Sequence, residues 1–199
     1  MKDIKDINDA NKVPLLRGGA KESAAEGVCF SSERNKTQER KTTMLVLVDP
    51  KDSRAVRNKD NVLALYDQMI NQKKSEEVTA QLLNPAYIQH NPIIPDGPAA
   101  LGQFFGKVTR EHAGARVVVH RIIAVGDYVW AHVNFLNLFG DDADDTGIAG
   151  VDIYKMDADG KAVEHWDTLQ MVGDPNNSAP LIAPNIPRAN ANGMFEERT

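Results

Sequence analysis

The 199-residue chain has few of the features that mark secreted, membrane or metal-binding proteins. It contains one cysteine, Cys29, so no internal disulfide can form. Its longest apolar runs, such as Met44 to Val48, are far shorter than the roughly 20 residues of a transmembrane helix. The charged start of the chain is followed by no apolar segment, which argues against a secretory signal. We therefore expect a cytoplasmic protein with no membrane partner and an inert Cys29.

Positive charge is also scarce. The 23 Lys and Arg residues are outnumbered by 28 Asp and Glu residues, and the net charge of −5 argues against nucleic acid as a partner. The sequence has no phosphate-binding glycine loop, no metalloprotease histidine pair and no Gly-x-Ser-x-Gly. The acidic loop Asp141 to Asp145 lacks the defined ligand pattern of a calcium loop. We expect neither a metal nor an organic cofactor.

Aromatic residues are distributed unevenly. Phe30 is the only one within residues 1–57, where charge is dense and large apolar groups are few. Such a segment buries too little surface to offset the entropy of ordering. The composition therefore predicts a disordered or extended segment at 1–57, a folded domain at 58–172 and an irregular tail at 173–199. Within this tail, we expect order only where Met194 and Phe195 find an apolar groove.

Hydrophobic periodicity predicts helices first and strands later. One helix is indicated by the stripe Val62, Leu65, Tyr66 and Met69, with Asn58 or Asp60 as its N-cap. Further helices are predicted to begin at Ser75 and Pro98. Four strands follow in two hairpins: Ala115 to Val125, Tyr128 to Leu138, Ile148 to Met156 and Lys161 to Gln170. This order is typical of an α+β fold with an antiparallel sheet.

The second hairpin places four polar side chains together. A two-residue turn at Asp159-Gly160 would pair Tyr154 with His165 and Asp152 with Asp167, whereas a four-residue loop would set Asp152 opposite His165. Both registers put these four residues on one face, because side chains alternate along a strand. Val151, Ile153, Ala162 and Trp166 are predicted on the other face. Periodicity alone leaves open whether the polar face meets solvent or lines a pocket.

Three ordered motifs between about Asn58 and Val172 carry a family resemblance. They are Tyr87-Ile88-Gln89-His90-Asn91-Pro92, then His120 to Val129 with His132, and finally Asp152-Ile153-Tyr154-Lys155 followed by Asp159 to Asp167. In these motifs the sequence resembles the SnoaL-like polyketide cyclases of the nuclear transport factor 2-like superfamily. The resemblance implies N-terminal helices packed on a curved antiparallel sheet that forms a cone-shaped barrel around an apolar pocket. It also implies a homodimer formed through the sheet.

The resemblance further implies acid/base catalysis on a small hydrophobic compound that contains a carbonyl group, by aldol condensation, cyclisation or isomerisation. Asp152 is the implied acid/base, and His132 and His90 are its implied catalytic partners. The implied substrate-binding residues are His165, Asp167, Trp166, Tyr154, Trp130 and Tyr87. Two other readings stay open, because a fold does not settle a function. These are a small-molecule binding protein with its polar groups paired to each other, and an interaction module with a filled core.

Overall fold

The computed structural model describes residues 43–172 and 193–195. Its elements, in chain order, are β1 (Leu45–Val48), α1 (Ser53–Tyr66), α2 (Ser75–Leu82), β2 (Leu83–Gln89), α3 (Pro98–Glu111), β3 (Arg116–Val125), β4 (Tyr128–Leu136), β5 (Ile148–Met156) and β6 (Ala162–Met171). Most of the predicted N-terminal segment (1–42, with Cys29) and most of the predicted tail (173–192 and 196–199) lie outside the described residues.

The helices cover the inner face of the sheet with apolar side chains. The predicted stripe of α1 is confirmed, because Val62, Leu65, Tyr66 and Met69 are all buried. The last of these residues lies in a π-helical turn, Asp67–Asn71, that continues α1. The predicted starts of α2 and α3 are confirmed as well. Among the described residues, no helix has the length and apolar character needed to cross a membrane.

The N-cap of α1 differs from the prediction. The carboxylate of Asp52 accepts hydrogen bonds from the backbone N–H groups of Arg54 and Ala55, so the helix begins before Asn58 and Asp60. Asn58 is instead buried, and its Nδ2 donates to the carbonyl oxygen of Gly126 at 3.0 Å. The side-chain amide of Asn58 therefore holds the turn between β3 and β4 and does not cap the helix.

The six strands form one open sheet in the order β1-β3-β4-β5-β6-β2. The four strands predicted from the sequence make its antiparallel centre. The sheet is mixed rather than wholly antiparallel, because β1 pairs with β3 and β2 pairs with β6 in parallel. The helices that precede and separate these edge strands lie against the sheet and bury a common core with it. The predicted α+β class, with helices packed on a curved sheet, is confirmed.

The folded region begins earlier than the predicted boundary at Asn58. Leu45–Val48 pairs residue by residue with Arg121–Ala124, and α1 starts at Ser53. The composition of residues 1–57 concealed this strand, because four apolar residues were averaged with a long charged segment. Backbone pairing at a sheet edge needs only a short extended run.

The second hairpin has the pairing of one of the two predicted registers but neither of the predicted turns. Tyr154 pairs with His165 and Asp152 with Asp167, as a two-residue turn would give. However, the register shifts between Lys155 and Met156, so that Met156 pairs with Ala162 and one residue of β6 is extra. This bulge turns Ala162 into the core, contrary to its predicted place on the outer face. The polar face points inward.

Gly147, at the start of β5, has a conformation that suits only glycine. Its φ is +88°, and a Cβ there would meet the Asn134 side chain and lie 2.6 Å from the carbonyl oxygen of Phe135. We expect Gly147→Ala to lower the free energy of unfolding by more than about 1 kcal/mol. Gly140→Ala is the matched control, since a Cβ there meets nothing within 4 Å. Denaturant unfolding measures both, and equal stabilities of the two variants would contradict the assignment.

Candidate active site

A cavity of about 80 Å³ lies between the helices and the inner face of the sheet. Most of its wall is apolar and comes from α3, the π-helical turn and the strands β4 to β6. The wall residues include Met69, Leu101, Phe104, Phe105, Phe135 and Leu138. Polar side chains from β2, β5 and β6 meet at one part of this wall. The arrangement, an apolar enclosure with a few convergent polar groups, is typical of small-molecule sites.

Asp152 is the most deeply buried acidic residue that lines the cavity. It lies on β5 directly opposite Ala131 of β4, and only 2% of its surface is exposed. The hydroxyl of Tyr66, from the last turn of α1, donates a short hydrogen bond to Asp152 Oδ2. A carboxylate this buried requires such a partner, because desolvation penalises the unpaired charge. Tyr66 therefore holds one oxygen of Asp152 and leaves Oδ1 toward β6.

His165 occupies the position next to that second oxygen. Its Nε2 lies 3.7 Å from Asp152 Oδ1, and its Nδ1 lies 2.8 Å from Gln89 Oε1. Within the described part of the chain, Nε2 has no hydrogen-bond partner although the side chain is buried. An unpaired buried nitrogen beside a carboxylate is costly in a purely structural site. Its presence marks the point where a ligand or a proton would be held.

Two further hydrogen bonds fix the surrounding polar groups. Gln89 Nε2 donates to the Tyr87 hydroxyl oxygen at 3.3 Å, and Asn91 Nδ2 donates to Asp167 Oδ2 at 2.7 Å. Gln89 is the last residue of β2, which pairs with β6 at His165, and Asn91 lies two residues further along the chain. The edge strand therefore supplies neutral amides to a group of two carboxylates and an imidazole.

The charges at this end of the cavity are unbalanced. Asp152 and Asp167 are directly paired across β5 and β6, where like charges oppose each other. Among the described residues that line the cavity there is no lysine or arginine. One carboxylate oxygen each of Asp152 and Asp167 and one ring nitrogen of His165 lie within 4.8 Å of one another, so a metal ion could also occupy this group. A proton on the pair of Asp152 and His165 would offset part of the same charge.

Three buried tyrosines keep their protons near this group. Burial raises the pKa of Tyr66 well above its ordinary value of 10, and the charge of Asp152 raises it further. Burial and the same charge raise the pKa of Tyr154, and burial with Asp152 and Asp167 raises the pKa of Tyr87. All three phenols are therefore neutral hydrogen-bond donors at physiological pH.

The sequence of residues 62–165 matches the family model described as SnoaL-like domain. The chain belongs to the SnoaL-like family. A comparison with curated proteins finds no significant match.

Solved structures agree with this SnoaL-like fold. A Bacillus cereus ATCC 10987 protein, provisionally named a polyketide cyclase, is 21% identical, with a TM-score of 0.54 over 66% of this chain and 88% of that one. A Jannaschia protein, provisionally named a SnoaL-like polyketide cyclase, is 17% identical, with a TM-score of 0.51 over 61% of this chain and 91% of that one. At these identities the likeness establishes the fold alone.

The SnoaL-like domain brings five of the nine predicted site residues to the cavity. Asp152, Tyr154, His165, Asp167 and Tyr87 all line it. The first four share the inward face that alternation predicted, and Tyr87 reaches the same wall from the edge strand β2. Their roles in catalysis or binding stay predictions, but their placement agrees with a common site.

The other predicted catalytic partners lie elsewhere. His132 pairs with Val151, one residue away from the Ala131–Asp152 pair, so it points to the outer face of the sheet. There its Nδ1 lies 2.9 Å from Arg121 Nη1. The expectation that His132 neighbours Asp152 is wrong, because the motif placed it on the correct strand but the register turns it away. Trp130, two residues earlier, is half-exposed on the same outer face and is not a pocket wall.

His90 and Trp166 also lie outside the cavity. Their rings stack at 4.9 Å with an angle of 6° between the planes, and His90 Nε2 lies 2.9 Å from Glu164 Oε1. His90 follows the last residue of β2, and Trp166 alternates with the inward His165. Their predicted roles at the site therefore have no support in the geometry.

Tyr66, Gln89 and Asn91 are the site residues that sequence reasoning missed. Tyr66 was counted as a core residue by its helical spacing, although a buried tyrosine needs a partner for its hydroxyl. Gln89 and Asn91 flank His90 in the quoted motif, but neutral amides carry no titratable group that would mark them as catalytic in a sequence. The usable signal was alternation, since Tyr87, Gln89 and Asn91 share a face and His90 does not.

The buried phenols predict how stability depends on high pH. In the unfolded chain tyrosines ionise near pH 10, whereas the raised pKa of Tyr66 keeps its proton in the fold. Each such tyrosine should therefore lower the free energy of unfolding by about 1.4 kcal/mol per pH unit above pH 10. We expect Tyr66→Phe to reduce this slope by that amount, because the variant has no hydroxyl to ionise at this position. Denaturant unfolding between about pH 10 and 11 measures the slopes, and an unchanged slope in Tyr66→Phe would refute this reading.

Proposed function

We propose that this SnoaL-like protein carries out acid/base catalysis on a small, largely apolar carbonyl compound. The observation that carries the proposal is the buried pair of Asp152 and His165, 3.7 Å apart, at the polar end of an apolar cavity. A carboxylate that faces an enclosed ligand site can accept a proton from the ligand as a general base. The name of the Bacillus cereus neighbour, polyketide cyclase, is consistent with this class of reaction.

The proposed step removes a proton from the carbon next to the carbonyl group. Asp152 Oδ1 accepts the proton, the C–H bond electrons form an enolate, and the new carboxylic acid lies beside His165 Nε2. The enolate then either attacks a second carbonyl carbon, as in an aldol condensation, and the alkoxide formed takes the proton back from Asp152, or it is reprotonated by Asp152 at another position, as in an isomerisation. Tyr66 stays bound to Oδ2 throughout and fixes the orientation of the base.

The developing oxyanion needs a hydrogen-bond donor, and Tyr87 is the best candidate. Its hydroxyl oxygen accepts a hydrogen bond from Gln89. This contact does not use the hydroxyl proton, which can therefore be donated to a ligand. Because its pKa is raised, Tyr87 remains a neutral donor rather than a competing base. In this proposal Tyr87 and His165 replace His132 and His90 as the partners of Asp152.

Exchange of α-protons tests the proposal without knowledge of the natural substrate. Cyclohexanone in deuterated water, followed by proton NMR, serves as a small, largely apolar ketone probe. We expect the protein to accelerate the exchange, and Asp152→Asn to reduce the protein-dependent rate by about 10²- to 10⁴-fold, the usual contribution of a general base. Asp159→Asn, in the exposed turn between β5 and β6, is the matched control and should retain the rate.

A rate in Asp152→Asn equal to that of the wild type would exclude Asp152 as the base. Binding of the ketone to both proteins, seen as line broadening of the ketone signals, separates lost chemistry from lost affinity.

A non-catalytic binding protein is the second candidate. It is favoured by the pairing of polar groups with each other, namely Tyr66 with Asp152, Gln89 with His165 and Asn91 with Asp167. In that case apolar ketones would bind in the cavity, but no protein-dependent exchange would be seen with any of them. The unpaired Nε2 of His165 is the feature that favours the enzyme instead.

We also propose that a second copy of the chain covers the outer face of the sheet. The register aligns Ile123, Trp130, Ile153 and Trp166 in one row across β3 to β6. Ile123 and Trp130 are 41% and 47% exposed. A row of large, partly exposed apolar side chains is the kind of surface that proteins cover by association. A two-fold contact would place the row against itself.

Sedimentation as a function of concentration tests this association. We expect the wild type to form a dimer and Trp130→Lys to weaken it by at least about tenfold in dissociation constant, since a charge would be buried at its centre. Ile93→Lys changes a residue of similar exposure in the turn after β2, away from the sheet row, and should leave the dimer intact. A monomeric wild type at high concentration would overturn the proposal.

A further inference from the structure

The side chain of Gln89 has only one possible orientation. The backbone N–H of Asn91 lies 3.0 Å from Gln89 Oε1, and a backbone N–H can only donate. The atom that faces it must therefore be the amide oxygen, which leaves Nε2 to donate to the Tyr87 hydroxyl. The same oxygen lies 2.8 Å from His165 Nδ1.

This orientation determines where His165 carries its proton. Because Gln89 Oε1 accepts, Nδ1 must be the protonated ring nitrogen, and in the neutral imidazole Nε2 then holds only a lone pair. That lone pair faces Asp152 Oδ1 at 3.7 Å, so two hydrogen-bond acceptors oppose each other in a buried place. With the opposite tautomer, Nε2–H would donate to Asp152 and occupy the oxygen that the proposed base needs.

We propose that Gln89 is a positioning residue that fixes the Nδ1–H tautomer of His165, and so keeps Asp152 Oδ1 and His165 Nε2 free to share one incoming proton. This role rests on the proposed function for its use in catalysis, but the tautomer itself does not. The proton taken from the ligand would lie between two acceptors rather than on an isolated carboxylate.

Polar groups from β5 and β2 surround His165. Asp152 and Tyr154 face it from β5, Tyr87 and Gln89 from β2, and Asp167 lies two residues along β6. Of these, Gln89 is the only one whose contact with Nδ1 is a hydrogen bond in the described residues. Loss of the Gln89 oxygen therefore removes the preference for Nδ1–H, and the Asp152 carboxylate then favours Nε2–H.

Nitrogen NMR of the ¹⁵N-histidine-labelled full chain reports the tautomer directly, independently of turnover. At about pH 8, where an ordinary imidazole is neutral, we expect His165, identified by the signal lost in His165→Asn, to show the Nδ1–H pattern. Gln89→Leu should convert it toward Nε2–H and reduce α-proton exchange by about 10- to 100-fold, the loss found when the orienting partner of a metal-bound histidine is removed. Gln170→Leu, the same change on the outer side of β6, should alter neither.

A wild-type His165 in the Nε2–H form, or a Gln89→Leu variant that keeps Nδ1–H, would overturn the inference. Gln89→Met, which preserves volume, replaces Gln89→Leu if the latter does not fold. An Nδ1–H pattern that depends on Gln89 in a protein without any exchange activity would leave this inference standing and refute the proposed function. Exchange that is lost in Asp152→Asn but unaffected in Gln89→Leu would support the proposed function and refute the positioning role of Gln89.

Discussion

The pairing of Asp152 with Asp167 across β5 and β6 is the constraint on which the site depends. Two carboxylates directly opposite each other on an inward face repel, and no lysine or arginine in the described lining of the cavity compensates them. The fold offsets this cost with neutral donors, Tyr66 on one carboxylate and Asn91 on the other. Each donor comes from an element outside the hairpin. The position of α1 and of the edge strand β2 relative to the hairpin is therefore part of the site and not merely a support for it.

The edge strand β2 has a larger part than its short pairing suggests. It runs parallel to β6 and brings Tyr87, Gln89 and, just after its end, Asn91 to the cavity, while His90 lies outside with Trp166. Alternation along one strand thus separates a set of neutral hydrogen-bonding groups from a titratable one. Neutral amides can orient an imidazole and a carboxylate without adding charge to a buried place, which a histidine or lysine in their position would do.

Local patterns in the sequence predicted most of the fold and part of the site. The stripe of α1, the starts of α2 and α3 and the four central strands follow from periodicity and turn residues, because each depends on neighbours close in sequence. The parallel edge strands do not, since their pairing depends on residues far along the chain. Asp152, Tyr154, His165 and Asp167 were grouped correctly because one hairpin holds them. The prediction for His132 was wrong because the face on which it lies depends on the register between β4 and β5. The eight residues from Gly140 to Gly147 separate the two strands, so turn chemistry does not determine this register.

The apolar cavity and the unpaired Nε2 of His165 occur together because the described residues supply no hydrogen-bond donor at that point. A buried His165 with both nitrogens satisfied would need a donor for Nε2, and the nearest groups, Asp152 and Asp167, can only accept when ionised. Tyr66 could have filled this role, but its hydroxyl is committed to Asp152 Oδ2. His165 Nε2 is thus a buried polar atom without a hydrogen bond in the described part of the chain, which costs stability. In a filled core, an apolar residue at this position would avoid that cost. In an acid/base site, a proton from the ligand would satisfy His165 Nε2 and remove this cost. The unpaired nitrogen therefore favours the proposed enzyme over an interaction module with a filled core.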